Sequence, residues 1–570
     1  MFRVRLAALA ALFVLAPTLS AQHAHHAAGP AADAEGPPPL FDNLGSYSKR
    51  ISTRDSLAQR YFDQGVRLMY GFNHMEAMLA FQEAARRDPR CAICEWGVAS
   101  SFGPDINQDM NEERWRAANA AILRARDAMQ HASAWERRYV EASLSRFDPL
   151  PDFRDPAEVR RLRVRQDSAY AESMGQLAAD YPDDPDAATW YAESLLDLAP
   201  WNQWSPDGRT PRAGTLDAVA ALERVIARWP DHPGANHFYI HAVEASSRPD
   251  RALRSAKRLA ELIPGASHIV HMPSHIYLRA GRYHDAAQAN RAAVRADSAY
   301  LRVRQALGRY PRYFAHNLEF LWSAAGMAGM REVSLAAARD QSAEWPADSV
   351  RRWPNTQHFL VTPWVVMVRF GMWKEMLDEP PPPADLSFAL GAWHYARGFA
   401  ELRSGRPDTA FREWKALEAI IGNASADSVP AQSINSGREL LRLAAATLEG
   451  EILAERGDAD AAIGALECAV AIQDRLRYDE PPPFYFPARH SLGAVLLRFG
   501  RPAEAERVYR TDLAHYDGLE TIPNRNRLNG WSLLGLALAL EAQGKRAAGV
   551  RRQFRKAWQF ADVEINGSRF

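Results

Sequence analysis

Neither charge is in excess. Lys plus Arg and Asp plus Glu each number 69, so the formal net charge is +0, which excludes bulk attraction to nucleic acid or an acidic membrane surface. Beyond the first residues no run of 18 or more apolar residues occurs, so no transmembrane helix is expected. Runs that alternate Val, Ile or Thr with polar residues are scarce, which argues against a β fold. The G-x-S-x-G elbow, a phosphate-cradling Gly loop and a basic-aromatic surface are all missing. Cysteine is limited to three residues. Cys91 and Cys94 form C-x-x-C, and Glu95 stands where c-type haem attachment needs His. In an oxidising compartment that pair reads as a structural disulfide or two packed thiols, and Cys468 as a buried free thiol.

The chain is 47% hydrophobic over 570 residues, ample for a large core. It opens with Arg3 and Arg5, an apolar run from Leu6 to Leu15 and small residues near Ala21. That is the pattern of a cleaved secretory signal peptide over 1–21, and it places the mature protein in the periplasm or outside the cell. Residues 22–54 read as a flexible leader rich in His, Pro and Ala. Its His23, His25 and His26 suit a harmless tail better than a metal tract.

From residue 55 onward the text is helical and repetitive. In "YFDQGVRLMYGFNHMEAMLAFQEAARRDP", Tyr61, Gly65, Ala77, Phe81, Ala84 and Pro89 recur at fixed offsets. "VHMPSHIYLRAGRYHDAAQANRAAVRAD" repeats them with Tyr277, Gly281, Tyr283, Ala286 and Ala293. Small residues let two helices approach, and aromatics fill the space between pairs. On these residues the chain resembles the tetratricopeptide repeat (TPR) family, in an exported bacterial form, over most of 55–570. The resemblance implies an all-α, right-handed α-α superhelix of roughly ten helix pairs. Its first helices would line a concave groove that takes a protein or peptide.

Within that frame the histidines fall in register. If one repeat starts at Pro233 and the next at Ser267, His237 and His241 hold positions 5 and 9 of one first helix. His271 and His275 hold the same positions of the next. Residues four apart share a helix face, so the four imidazoles are expected to converge on one groove-facing patch. His268 sits at position 2 of its repeat. With a further repeat starting at Ala315, His316 also takes position 2 and Glu319 position 5, and Glu244 follows His241 by three. Six imidazoles and two carboxylates suit a transition metal, copper, zinc or iron, and six histidines could hold a metal pair. The order is not H-E-x-x-H, because Ala242 follows His241, nor the di-iron Glu-x-x-His. Packing histidines copied by repeat duplication is the alternative reading.

Three functions stay open on the sequence: an exported binding scaffold with a metal site in its groove, a mono- or dinuclear metalloenzyme, and a metal-free interaction scaffold. Residues 199–214, with Trp201 and Trp204, read as either a lid or a packed insertion. "DINQDMNEERWR" from Asp105 begins like a calcium loop but has Met110 and Arg116 where Gly and Glu are needed. The proline runs at 380–383 and 481–483 read as stiff spacers. His74 and His490 receive no role.

Overall fold

The computed structural model describes residues 36–304, 311–423, 430–432, 435–484, 486–513 and 525–570. The expected signal peptide, His23, His25 and His26 lie outside them. The described chain is an all-α solenoid of antiparallel helix pairs. Its one β ladder joins Pro430–Gln432 to Asn435–Ser436.

The first pair shows how sequence makes the unit. Asp55 caps the helix Ser56–Tyr70 by accepting from the backbone N–H of Leu57 and Ala58 at 2.7 and 2.9 Å. The helix folds back onto His74–Arg87. Phe81 of the second helix lies so close to Gly65 and Gly97 that a Cβ on either would sit 2.5 Å from its ring. Two glycines thus make room for one aromatic, and that contact locks the pair to the next helix. Turns between helices use left-handed glycine. Gly457 at φ 84 and Gly281 at φ 74 each end a helix, and the residue after each donates back to the last turn, Asp458 to Leu453 O and Arg282 to Tyr277 O.

The stack curls until distant parts meet. The Arg527 guanidinium pairs with Asp250 at 2.6 Å, and its carbonyl accepts from the Tyr283 hydroxyl. Trp531 donates to Gly326 O, and Asp562 accepts from the backbone of Arg331 and Glu332. This curvature puts the histidine helices at the centre. All twelve residues of Pro233–Glu244 are buried, so this helix has no solvent face.

Four expectations need correction. Residues 38–54, expected within the flexible leader, are packed. Tyr47 donates to Asp186 at 2.6 Å, Lys49 pairs with Asp184 and Asp186 at 2.8 Å, and Leu44 and Ile51 are buried. Cys468 is exposed rather than buried. The helix Ala459–Arg475 buries Ala462, Ile463, Leu466, Ala469 and Ile472, and position 468 falls on the opposite face of that stripe. The histidines do not line an open groove, because the curl encloses them. The prolines at 481–483 do more than space helices, since their segment reaches the centre of the fold. A disulfide joins Cys91 and Cys94, with Cα atoms 5.3 Å apart.

Candidate metal centre

The site begins at the N-terminus of Pro233–Glu244. Pro233 starts the helix, and His232 caps it by accepting from the backbone N–H of Ala235 at 3.0 Å. Gly234 follows because the Tyr70 ring lies against it; a Cβ there would meet that ring at 2.3 Å. Tyr70 closes the helix Ser56–Tyr70, so its carbonyl has no helical partner. It accepts instead from His237 Nδ1 at 2.6 Å. Gly234→Ala is therefore expected to push Tyr70 away, costing about 1–3 kcal/mol in denaturant unfolding and loosening the support of His237.

The six histidines form two triads. His237, His241 and His268 make one, and His271, His275 and His316 the other; in each, one ligand atom per residue lies within 4.8 Å of the others. His237 Nε2 is 3.1 Å from His241 Nε2 and 3.2 Å from His268 Nε2. His271 Nε2 is 2.7 Å from His275 Nε2. The converging histidines expected from register are thus divided into two pairs, each completed by a histidine from the following repeat. The triads adjoin: His241 and His275 ring centres are 5.9 Å apart, as are those of His268 and His271.

The Nδ1 partners fix which nitrogen is free, an assignment made from hydrogen bonding. His237 Nδ1 donates to Tyr70 O, so its Nε2 carries a lone pair. His241 Nδ1 donates to Glu244 Oε1 at 2.7 Å. His271 Nδ1 donates to Asn290 Oδ1 at 2.6 Å, while the Asn290 amide nitrogen is held by Ala286 O at 2.8 Å. His275 Nδ1 donates to Glu244 Oε2 at 2.6 Å and contacts Glu480. The Nε2 atoms of His237, His241 and His271 are therefore acceptors, while His275, held protonated between Glu480 and Glu244, donates from Nε2 to His271 at 2.7 Å. A proton on His268 Nε2 accounts for its contact with His237, but leaves the His237–His241 contact as lone pair against lone pair. A cation at the focus turns that repulsion into coordination. Ligand bonds of about 2.0–2.1 Å bring tetrahedral nitrogens to within roughly 3.3 Å of each other.

The environment keeps most rings neutral, the form that binds metal. Burial, then neighbouring imidazoles, holds His237, His268 and His271 well below the usual histidine range, and His316 at about 3. Burial also lowers His241, partly offset by Glu244. His275 differs. Burial lowers it, but the Glu480 and Glu244 carboxylates prevail and raise it to about 10. A proton on His275 therefore competes with a metal ion for the second focus.

Both Glu244 oxygens are committed to Nδ1 atoms, one per triad, and the Tyr478 hydroxyl donates to Oε2 at 3.1 Å. Glu244 therefore orients ligands from behind rather than meeting the Nε2 foci. Glu319 also lies behind a ring, 3.9 Å from His316 Nδ1. Neither expected carboxylate belongs to a histidine triad, though Glu244 forms a third group with His241 and Glu480 whose ligand atoms also lie within 4.8 Å of one another. One phenylalanine packs on each histidine triad: Phe72 lies 4.6 Å from His237 and 5.4 Å from His268, and Phe320 lies 4.6 Å from His271 and His275. Phe72 holds φ 53, a left-handed conformation rare for an aromatic residue.

Sequence reasoning missed Tyr70, Phe72, Asn290, Phe320, Tyr478 and Glu480. Asn290 is legible in hindsight as a buried amide inside a helix, whereas Glu480 carries no local signal. The Trp201 ring lies 6.1 Å from His241, Trp204 Nε1 donates to Ala242 O at 2.8 Å, and Ser247 N donates to Gly208 O. Residues 199–214 thus seal the end of the ligand helix. The first acid of the calcium-like loop, Asp105, pairs with His74 at 2.7 Å. His490 bonds Asp512 and Arg369 away from the triads.

Asp297 ties the ligand helices together, accepting from Asn317 Nδ2 at 2.6 Å and bonding Ser267. Burial pushes its carboxyl from 3.8 up to about 7. With the folded value above the unfolded one, the native state binds more protons between those pH values. Stability is then lost as pH rises through that window, by on the order of 4 kcal/mol at most. Asp297→Asn lacks this loss. Its melting temperature relative to wild type is expected to rise between pH 4 and pH 8, by several degrees in matched scans.

No protein-family model matches the chain, and no curated protein does. Among solved structures, a human IFIT1 dimer with m7Gppp-AAAA aligns over 83% of this chain and 90% of its own, at 10% identity and TM-score 0.32. Yeast Tom70 aligns over 88% and 91%, at 10% identity and TM-score 0.27. The TPR domain of P58(IPK) aligns over 80% and 98%, at 12% identity and TM-score 0.23. Values this low bear on no site, and the solenoid assignment rests on the helix pairing itself.

Proposed function

We propose that the protein is an exported metalloprotein that holds two transition-metal ions side by side, one per histidine triad, and uses them on a small extracytoplasmic substrate. The observation that carries this is the convergence of Nε2 lone pairs, with each paired ring's Nδ1 tied down from behind. Such outer-shell bonds are what orients metal-binding imidazoles. All-imidazole ligand sets favour copper or zinc over the two-histidine, one-carboxylate iron site, and over oxygen-preferring Mg or Ca. Three protein ligands per ion leave a coordination position open, as reactive sites do, whereas structural sites are closed with four. Export is supported by the N-terminal Arg-then-apolar pattern.

The experiment is elemental analysis of untagged protein after repletion with copper and with zinc. About two equivalents per chain are expected, and less than about 0.2 of either would overturn the reading. A docking scaffold for a protein or peptide is the second reading, favoured by the repeat architecture. The histidine helices are enclosed, so on this reading the docking surface lies elsewhere on the solenoid. Among the described residues no helix is long and apolar enough to cross a membrane.

A further inference from the structure

Beside the second triad lies a cavity of about 60 Å³, bounded by His275 and Phe320 and by residues 478–484, Phe486 and Pro487. A water needs roughly 10–15 Å³ on this measure, so the space takes on the order of five such atoms, the size of one ring. Its walls are mostly apolar and flat: Phe320, Leu278, Leu476, Phe486 and the prolines at 481–483. Flat aromatic and proline faces suit a planar ring better than a branched chain.

Charge narrows the class. Two guanidiniums reach the wall, but both are engaged within the protein. Arg279 donates to Glu244 O at 3.0 Å and Ser246 O at 2.8 Å, and Arg525 pairs with Asp474 at 2.7 Å. The carboxyls of Asp479 and Glu480 line the same cavity, so a hydroxyl suits it better than a second carboxylate. The Glu480 carboxyl, 5% exposed, stands at the histidine end of the cavity, where it touches His275. It supplies an acceptor for one hydroxyl.

We propose that this cavity binds a phenol: one uncharged aromatic ring held between Phe320 and the proline segment, its hydroxyl directed at Glu480. The proposal deepens the metal-centre reading, since it places the substrate class beside His275. The occupant lies against the ring of a ligand rather than at the Nε2 focus, so the cavity is a binding and positioning site.

The test is phenol binding to the full-length, metal-replete protein by calorimetry, with benzoate as the charged comparison and metal content measured on the same samples. Phenol is expected to bind with Kd below about 1 mM, within reach of a ligand of ~7 non-hydrogen atoms, and benzoate at least about tenfold more weakly. Ser323→Phe, which fills the cavity, is expected to weaken phenol at least about tenfold while leaving the metals in place. Met327→Ala, which enlarges it, is expected to strengthen 2-naphthol several-fold over wild type and covers the case in which the larger side chain prevents folding. Two metals with no phenol binding, or phenol binding unchanged by both variants, would overturn the cavity alone. Phenol binding that follows both variants in a protein holding no metal would keep the cavity and sink the metal centre.

Discussion

His237→Ala is expected to remove one of two metal equivalents and His271→Ala the other, each leaving its neighbour loaded. The two residues hold equivalent places. Each is the first member of an i, i+4 pair, and each has its Nδ1 fixed by a partner with nothing else to accept: the helix-terminal carbonyl of Tyr70, or Asn290 Oδ1. Removing a supporting hydrogen bond alone costs roughly 10–100-fold in metal affinity, and removing the ligand itself should exceed that. Stability also falls, because His237→Ala strands a buried carbonyl at about 1–3 kcal/mol. Metal content separates the roles. If the rings only pack, both variants melt earlier and stoichiometry stays as in wild type. If they coordinate, equivalents drop from about two to about one, measured on folded protein at matched concentration.

Glu244 is expected to give the largest effect of any residue outside the triads, because one carboxylate serves both. Its oxygens receive His241 Nδ1 at 2.7 Å and His275 Nδ1 at 2.6 Å. Glu244→Ala frees the His241 ring and leaves His275 on Glu480 alone, and should weaken the first site about 10–100-fold and the second less. Glu244→Gln is more discriminating. A carboxamide has one acceptor oxygen and one amine, so it satisfies one imidazole and presents N–H to the other. The glutamine variant should therefore impair one site far more than the other, changing the ratio of the two affinities from that of wild type. Equal weakening at both sites, or none, would show that Glu244 does not bridge the triads. Competition titration with a chelator resolves the two constants.

The histidine pairs were legible because they are local. An i, i+4 spacing sets two side chains on one helix face whatever surrounds the helix, and a shared repeat position sets His271 and His275 as His237 and His241 are set. The third members were half legible. His268 and His316 both stand at position 2 of the repeat that follows a pair, and the structure uses them alike, each completing the pair before it. What register left open was how neighbouring first helices are offset. One shared patch and two separate triads are both compatible with the same numbers.

Burial and the outer partners were not legible. Glu480 follows His275 by 205 positions in the chain, and Tyr478 follows Glu244 by 234. They meet only because the small twist between successive helix pairs accumulates until the stack returns on itself. The same curl turned an expected open groove into an enclosed centre, and drew residues 38–54 out of the leader onto Asp184 and Asp186. By itself, then, the sequence determined the helix pairs, their small-residue contacts and the two in-register histidine pairs, because each depends on neighbours a few residues away. The tertiary structure alone decided that six rings divide three and three, and that one carboxylate stands behind both groups. Those are distances between repeats, and they follow from the summed curvature of the whole stack.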